Sequence, residues 1–264
     1  SLHDALPIWA TATSMPNDTL RTLAKQLYLD PKEIPLWAMG TVQVSDDSDG
    51  ATTWYIHNWS PEMITDSVLD TPLCPGQKLA TPNTVVFFYG SRHTWEWQGM
   101  AIIDIFQSGL KTTAPKLRAK GFRVEEIFSS WRSAGREAFI SSWTTNGIYA
   151  LGYAGHGSKA GLVPVLGWPL LSNNDRRVEE VGVWDVYPPY KLSALMLLAC
   201  YSADDVMKLT GNTADGEFTY TTDRWDRRVY DKSRFTGFHG EVSTASFMMN
   251  PWTFPWRQVD NVRY

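Results

Sequence analysis

The chain has 264 residues, 43% hydrophobic and 20% charged, with 19 glycines and 15 prolines; this excludes collagen-like, coiled-coil and wholly disordered chains and allows one or two domains. A net charge of −4 argues against a surface built to neutralise nucleic-acid phosphates. Two cysteines, Cys74 and Cys200, are too few for a four-cysteine zinc site or a multi-bridge scaffold, and no apolar run approaches the roughly 18 residues a membrane helix needs.

In chain order, the octet SLHDALPI is what one frame of a common short-read sequencing adapter encodes. Residues 1–8 are therefore expected to be an assembly artefact, with the native N-terminus and any signal peptide missing, which leaves cellular location unread. Residues 16–37 set Leu20, Leu23, Leu27 and Tyr28 at helical spacing behind Asn17 or Asp18 as N-cap, with a second short helix after Pro31. SDDSDGATTW at 45–54 reads as a loop or hairpin, and the proline-rich stretch 69–84 as irregular, so that 9–83 is expected to form a small, α-rich N-terminal domain.

The pattern then changes. Apolar, β-prone runs VVFFYG (85–90), FRVEEIF (122–128), GIYALGYAG (147–155) and LSALMLLAC (192–200) alternate with helical stretches within 96–120, around 133–144 and over 203–209. Such alternation predicts βαβ units and a buried parallel sheet over 84–264. Gly121 suits a helix C′ position, and Pro115 is expected to split or start the helix before it.

In an open parallel sheet the ligand site lies beyond the carboxyl ends of the strands. Two predicted strands end in chemistry: one in Gly155-His156-Gly157-Ser158, the other in Ala199-Cys200-Tyr201-Ser202. A thiolate attacks a carbonyl, and a nearby imidazole moves the proton in each half of acyl transfer. The N–H groups of Gly157 and Cys200 are candidate oxyanion donors. Ser202-Ala203-Asp204-Asp205 has the form of a capping box, which predicts a helix N-terminus favouring the thiolate.

These residues resemble the caspase-like cysteine peptidases, the group that includes metacaspases, gingipain- and clostripain-like enzymes, legumains and separases. GYAGHGS and LLACYS match the family's His-Gly and Ala-Cys strand ends, and the 44 positions from His156 to Cys200 fit a histidine roughly 50 residues upstream of the cysteine. The resemblance implies a three-layer α/β sandwich with a mostly parallel central sheet, His156 as acid/base, Cys200 as nucleophile and Gly157 as oxyanion donor. It implies a polypeptide substrate and no organic cofactor; calcium dependence occurs in some relatives, but DDSDG at 46–50 is too short for a D-x-D-x-D-G-x5-E ligand loop and lacks its later Glu, so no metal is expected. The chain lacks the Gln-Ala-Cys-Arg-Gly string of caspases, so Asp specificity is not implied. NDTLRTLAKQLYLDPKEIPLW and CPGQKLATP resemble the start and end of a LysM module, which implies an N-acetylglucosamine polymer such as peptidoglycan or chitin as a partner of the N-terminal region. The competing expectation is a catalytically silent scaffold or glycan-binding protein.

Further candidates for the substrate pocket are Arg92 and His93 after the first strand, Ser158, Ser202, Asp204 and Asp205, and His239 in a second His-Gly. Asp204 or Asp205 suits a basic P1 side chain, though helix capping explains them equally well. The polar stretch 210–235 is expected to be an exposed loop cut during activation. Gly155–Ala160 also satisfies the dinucleotide fingerprint G-x-G-x-x-G/A, but the prolines and glycines after it deny the helix that this motif must open.

Overall fold

A computed structural model describes residues 9–27, 31, 41–45, 50–56, 59, 61–90, 110–129, 133–144, 147–164, 179–186, 191–212 and 218–241. The N-terminal part begins with strand β1 (Trp9–Thr13) and helix α1 (Leu20–Gln26), followed by the hairpin β2 (Val42–Ser45) and β3 (Ala51–Trp54), short helix α2 (Asp66–Leu69) and strand β4 (Lys78–Pro82). β1 and β4 pair antiparallel, Trp9 opposite Pro82. Leu20 and Leu23 are fully buried, as their spacing predicts. The cap differs: Thr19 is the N-cap, its hydroxyl accepting from the Thr22 amide. Asp18 is spent one step earlier, because its carboxylate accepts from the Met15 amide at 2.8 Å and closes the preceding turn. The stretch 69–84 is also more regular than its prolines suggest, since residues 78–82 join β1. Tyr28 and the expected helix after Pro31 lie outside the described residues.

A single residue, Asn83, separates β4 from β5 (Thr84–Tyr89). Helix α3 follows over 110–119, then β6 (Arg123–Phe128), α4 (Ser133–Thr144) and β7 (Ile148–Ala154). A hairpin of β8 (His156–Ser158) and β9 (Gly161–Val163) comes next, then β10 (Ala194–Leu198), a second hairpin of β11 (Val206–Asn212) and β12 (Phe218–Asp223), and β13 (Phe235–Thr236). The fold is mixed α/β around a five-stranded sheet in the order β13-β10-β7-β5-β6, every neighbouring pair parallel. β5, β7 and β10 are buried along their whole length, which is why they read as unbroken apolar runs. β6 is the edge, and its half-exposed Arg123 and Glu125 form an ion pair there.

Each face of the sheet has its own core. Val85, Phe87, Met196 and Leu198 pack with Leu110, Ala114 and Leu117 of α3, whereas Val86, Phe88, Leu195 and Leu197 pack with Phe139 and Trp143 of α4. Pro115 neither splits nor starts α3 but lies within it. A proline inside a helix costs about 3 kcal/mol, and burial of Leu110 and Leu117, worth about 1.5–3 kcal/mol each, offsets it. The helix ends in a Schellman motif: the Phe122 amide reaches the Leu117 carbonyl, the Gly121 amide reaches Arg118, and Gly121 takes φ +84°.

The largest departure follows Cys200. No helix covers 203–209; a tight turn leads into β11, which pairs antiparallel with β12. The Thr- and Tyr-rich partner FTYTTD supplies a ladder for the VMKLT strand, and that non-local pairing overrides the capping-box pattern. The expected loop over 210–235 is likewise largely folded: β12, a 3-10 turn over Trp225–Arg228 and β13 occupy 218–236, and Trp225 is buried against Trp143. Among the described residues no helix is long and apolar enough to cross a membrane.

Candidate active site

β7 and β10 are immediate parallel neighbours, with Ala154 opposite Leu198. His156 stands two residues beyond the first and Cys200 two residues beyond the second, so both leave the sheet at the same edge. The ladder continues one step past the strands, as the Gly155 amide donates to the Leu198 carbonyl at 3.2 Å. Both residues are half-buried. The two chain segments approach tightly at Gly157, where a Cβ would collide with the Cys200 carbonyl oxygen. Only glycine lets the His156-Gly157 backbone pass there.

Beneath His156 lies Tyr153, fully buried at the end of β7. Its ring stacks on Phe88 and meets Phe139 edge-on, and its hydroxyl turns back to donate to the His156 carbonyl at 2.9 Å. Gly90 and Gly155 make room for it, because a Cβ at either would overlap the phenol ring. The bend that presents His156 is thus built on a buried hydroxyl.

The turn after Cys200 is held from the other side. Tyr201 takes φ +58°, a left-handed conformation that costs a non-glycine residue about 1–2 kcal/mol. A strap over 237–241 compensates: the Tyr201 amide donates to Gly240, the Ala203 amide to Phe238, and the Gly240 amide to the Asp204 carboxylate at 2.8 Å. Burial, then the hydrogen bond to Glu241, push the Tyr201 phenol above its ordinary range. Asp204 is held below the usual carboxylate range, first by the Gly240 N–H and then by His239, whose Nδ1 lies 2.6 Å from Oδ1.

The remaining sequence candidates separate clearly. Ser202 is buried; its hydroxyl lies 2.9 and 2.8 Å from the Leu197 and Ala199 carbonyls and accepts from the Phe238 amide, so it braces the turn. Ser158 donates to Glu180 at 2.7 Å and accepts from the Ala160 amide. Asp204 and His239 pair with each other, and Asp205 faces solvent 4.0 Å from Arg224. The helix expected to place its N-terminus at Cys200 is absent, since β11 occupies Val206–Asn212. Arg92 and His93 lie outside the described residues. Among the described residues no group of three or more His, Cys, Asp or Glu could hold a metal ion.

Sequence reasoning missed Tyr153, the 237–241 strap and the β11–β12 hairpin. The alternation in VMKLT and FTYTTD was a usable strand signal. The other two depend on contacts across 36 and 3 positions that no periodicity encodes. The chain matches no family model and no curated protein.

Proposed function

We propose that this chain is a caspase-like cysteine endopeptidase in which Cys200 is the nucleophile and His156 the acid/base. The observation that carries the reading is the register: a histidine and a cysteine stand at equal offset beyond adjacent, parallel, fully buried strands. The sheet order supports it too. Numbered by their sequence within the sheet, the strands run second, first, third, fourth, fifth, and the reactive pair follows the third and fourth, next to the switch point where ligands of open α/β sheets bind.

In this reading His156 accepts the Cys200 proton and the thiolate sulfur attacks the scissile carbonyl carbon. The amides of Gly157 and Cys200 stabilise the resulting oxyanion, a type of donor worth roughly 3–4 kcal/mol elsewhere. Collapse breaks the C–N bond, His156 protonates the leaving amine, and a thioester remains. Water, deprotonated by His156, then hydrolyses the thioester and restores the thiol.

The N-terminal region carries a second, separable reading as a LysM-like module binding N-acetylglucosamine polymers. The antiparallel closure of β1 on β4 around α1 and α2 supports it. Digestion of a peptide library tests the peptidase reading. The parent chain is expected to cleave and Cys200→Ala to lose all turnover, whereas equal activity in both would overturn it.

A further inference from the structure

A cleft of about 620 Å³ opens between the β8–β9 turn and the β11–β12 hairpin. The Met207 amide donates to the Lys159 carbonyl at 3.1 Å, which pins the hairpin to a turn three residues beyond His156. Met207 and Leu209 lie on one face of β11, and Tyr220 sits directly across from Leu209. All three are exposed, at 40%, 51% and 53%, and with Trp184 they line the cleft. Large apolar side chains left open along a cleft mark a surface that binds.

The charges in the lining are unevenly engaged. Arg136 pairs with Asp185, which also accepts from the Gly182 amide, and Glu180 accepts from Ser158. Both carboxylates thus accept hydrogen bonds within the fold, Asp185 beside an arginine and Glu180 from a neutral hydroxyl that leaves its charge in place. The other two cations rest on rings instead: the Lys208 ammonium lies 5.3 Å from the centre of Trp184, and Lys159 lies 5.8 Å from that of Tyr201, the residue after Cys200. Neither has a carboxylate partner among the described residues. The cleft therefore offers bulky apolar contact with two ammonium groups at its wall, and that wall is continuous with the chain carrying His156.

We infer that this cleft binds the part of the substrate polypeptide flanking the scissile bond and selects a segment in which a carboxylate accompanies a bulky apolar side chain. The inference rests on the peptidase reading for its occupant. The apolar side chain packs on Met207, Leu209 and Tyr220, while the carboxylate meets Lys159 and Lys208 and draws them from water into a charge-assisted contact.

A binding measurement separates the two claims. The full Cys200→Ala chain is titrated by fluorescence anisotropy with a positional-scanning library of dye-labelled octapeptides. The tightest binders are expected to place Asp or Glu within two residues of Leu, Phe or Trp. Joint Lys159→Glu and Lys208→Glu substitution should weaken them at least tenfold and move the preference to Lys or Arg. Both lysines are exposed, so the fold should tolerate the reversal. Absence of binding, no acidic preference, or a preference unchanged by charge reversal would each overturn the inference. Cleavage of the same library by the chain with Cys200 intact is read separately. Selective binding without cleavage removes the peptidase reading and leaves the peptide site; cleavage without this selection removes the site alone.

Discussion

Tyr153 connects packing to chemistry through one hydroxyl. Tyr153→Phe keeps the buried ring and removes only the donor to the His156 carbonyl, so the expected stability loss is modest, about 0.5–1.5 kcal/mol. Cleavage should fall by as much as about 10²-fold, the scale associated with small misplacements of reacting groups. On the proposed peptidase reading Tyr153 acts through the His156 backbone, so the loss should appear in kcat with KM nearly unchanged; steady-state kinetics on one library-derived peptide checks this split. Gly157→Ala tests the tight approach to Cys200. Its methyl group collides with the Cys200 carbonyl, so the two strand ends must separate, at an expected cost of about 1–3 kcal/mol and with loss of turnover. Denaturant unfolding measures the first effect and peptide digestion the second. Of these residues only His156, Gly157 and Cys200 carried a signal in the sequence, because only they combine reactive chemistry, or freedom from a side chain, with a strand end. Tyr153 reads there as another core aromatic.

At the level of elements, what was legible followed burial. β5, β7 and β10 are enclosed on both faces and appear as continuous apolar runs, and α4 falls where its helical stretch was expected. After Cys200, Ser202-x-x-Asp imitates a capping box, while its real partners are distant: Ser202 meets Phe238, and Asp204 meets Gly240 and His239. Local pattern cannot carry a contact made 36 positions away. The strap so formed has a pH signature. The carboxylate of Asp204 has a lowered folded-state pKa, so its contribution is fully present above the ordinary value of about 3.9 and is lost as pH falls through the lower folded value. The protection of the Gly240 amide, its exchange rate relative to that of unstructured chain at the same pH, should therefore fall as pH drops below about 3.9. In Asp204→Asn exchange should already be faster at neutral pH and lack that acid limb. An amide equally protected in parent and variant would show that the carboxylate does not hold the strap.

On the scale of the whole molecule, the N-terminal part and the sheet are not separated by a linker. Asn83 alone joins β4 to β5, and its side-chain amide donates to the Gly121 carbonyl at 2.6 Å. Leu20, Leu23 and Leu79 belong to the same buried cluster as Val85, Phe87 and Met196. Leu23→Ala should cost about 2–5 kcal/mol, and calorimetry should show one transition moved to lower temperature with no independent N-terminal step. Two resolved transitions would show that the parts fold separately. The central claim is that the pair at the shared sheet edge is chemically active, and alkylation kinetics at the two cysteines tests it most directly. With iodoacetamide near neutral pH and mass spectrometry at each site, Cys200 should react at least tenfold faster than Cys74, and His156→Ala should abolish that advantage. Equal, slow labelling of both cysteines, unchanged by the histidine substitution, would contradict the account.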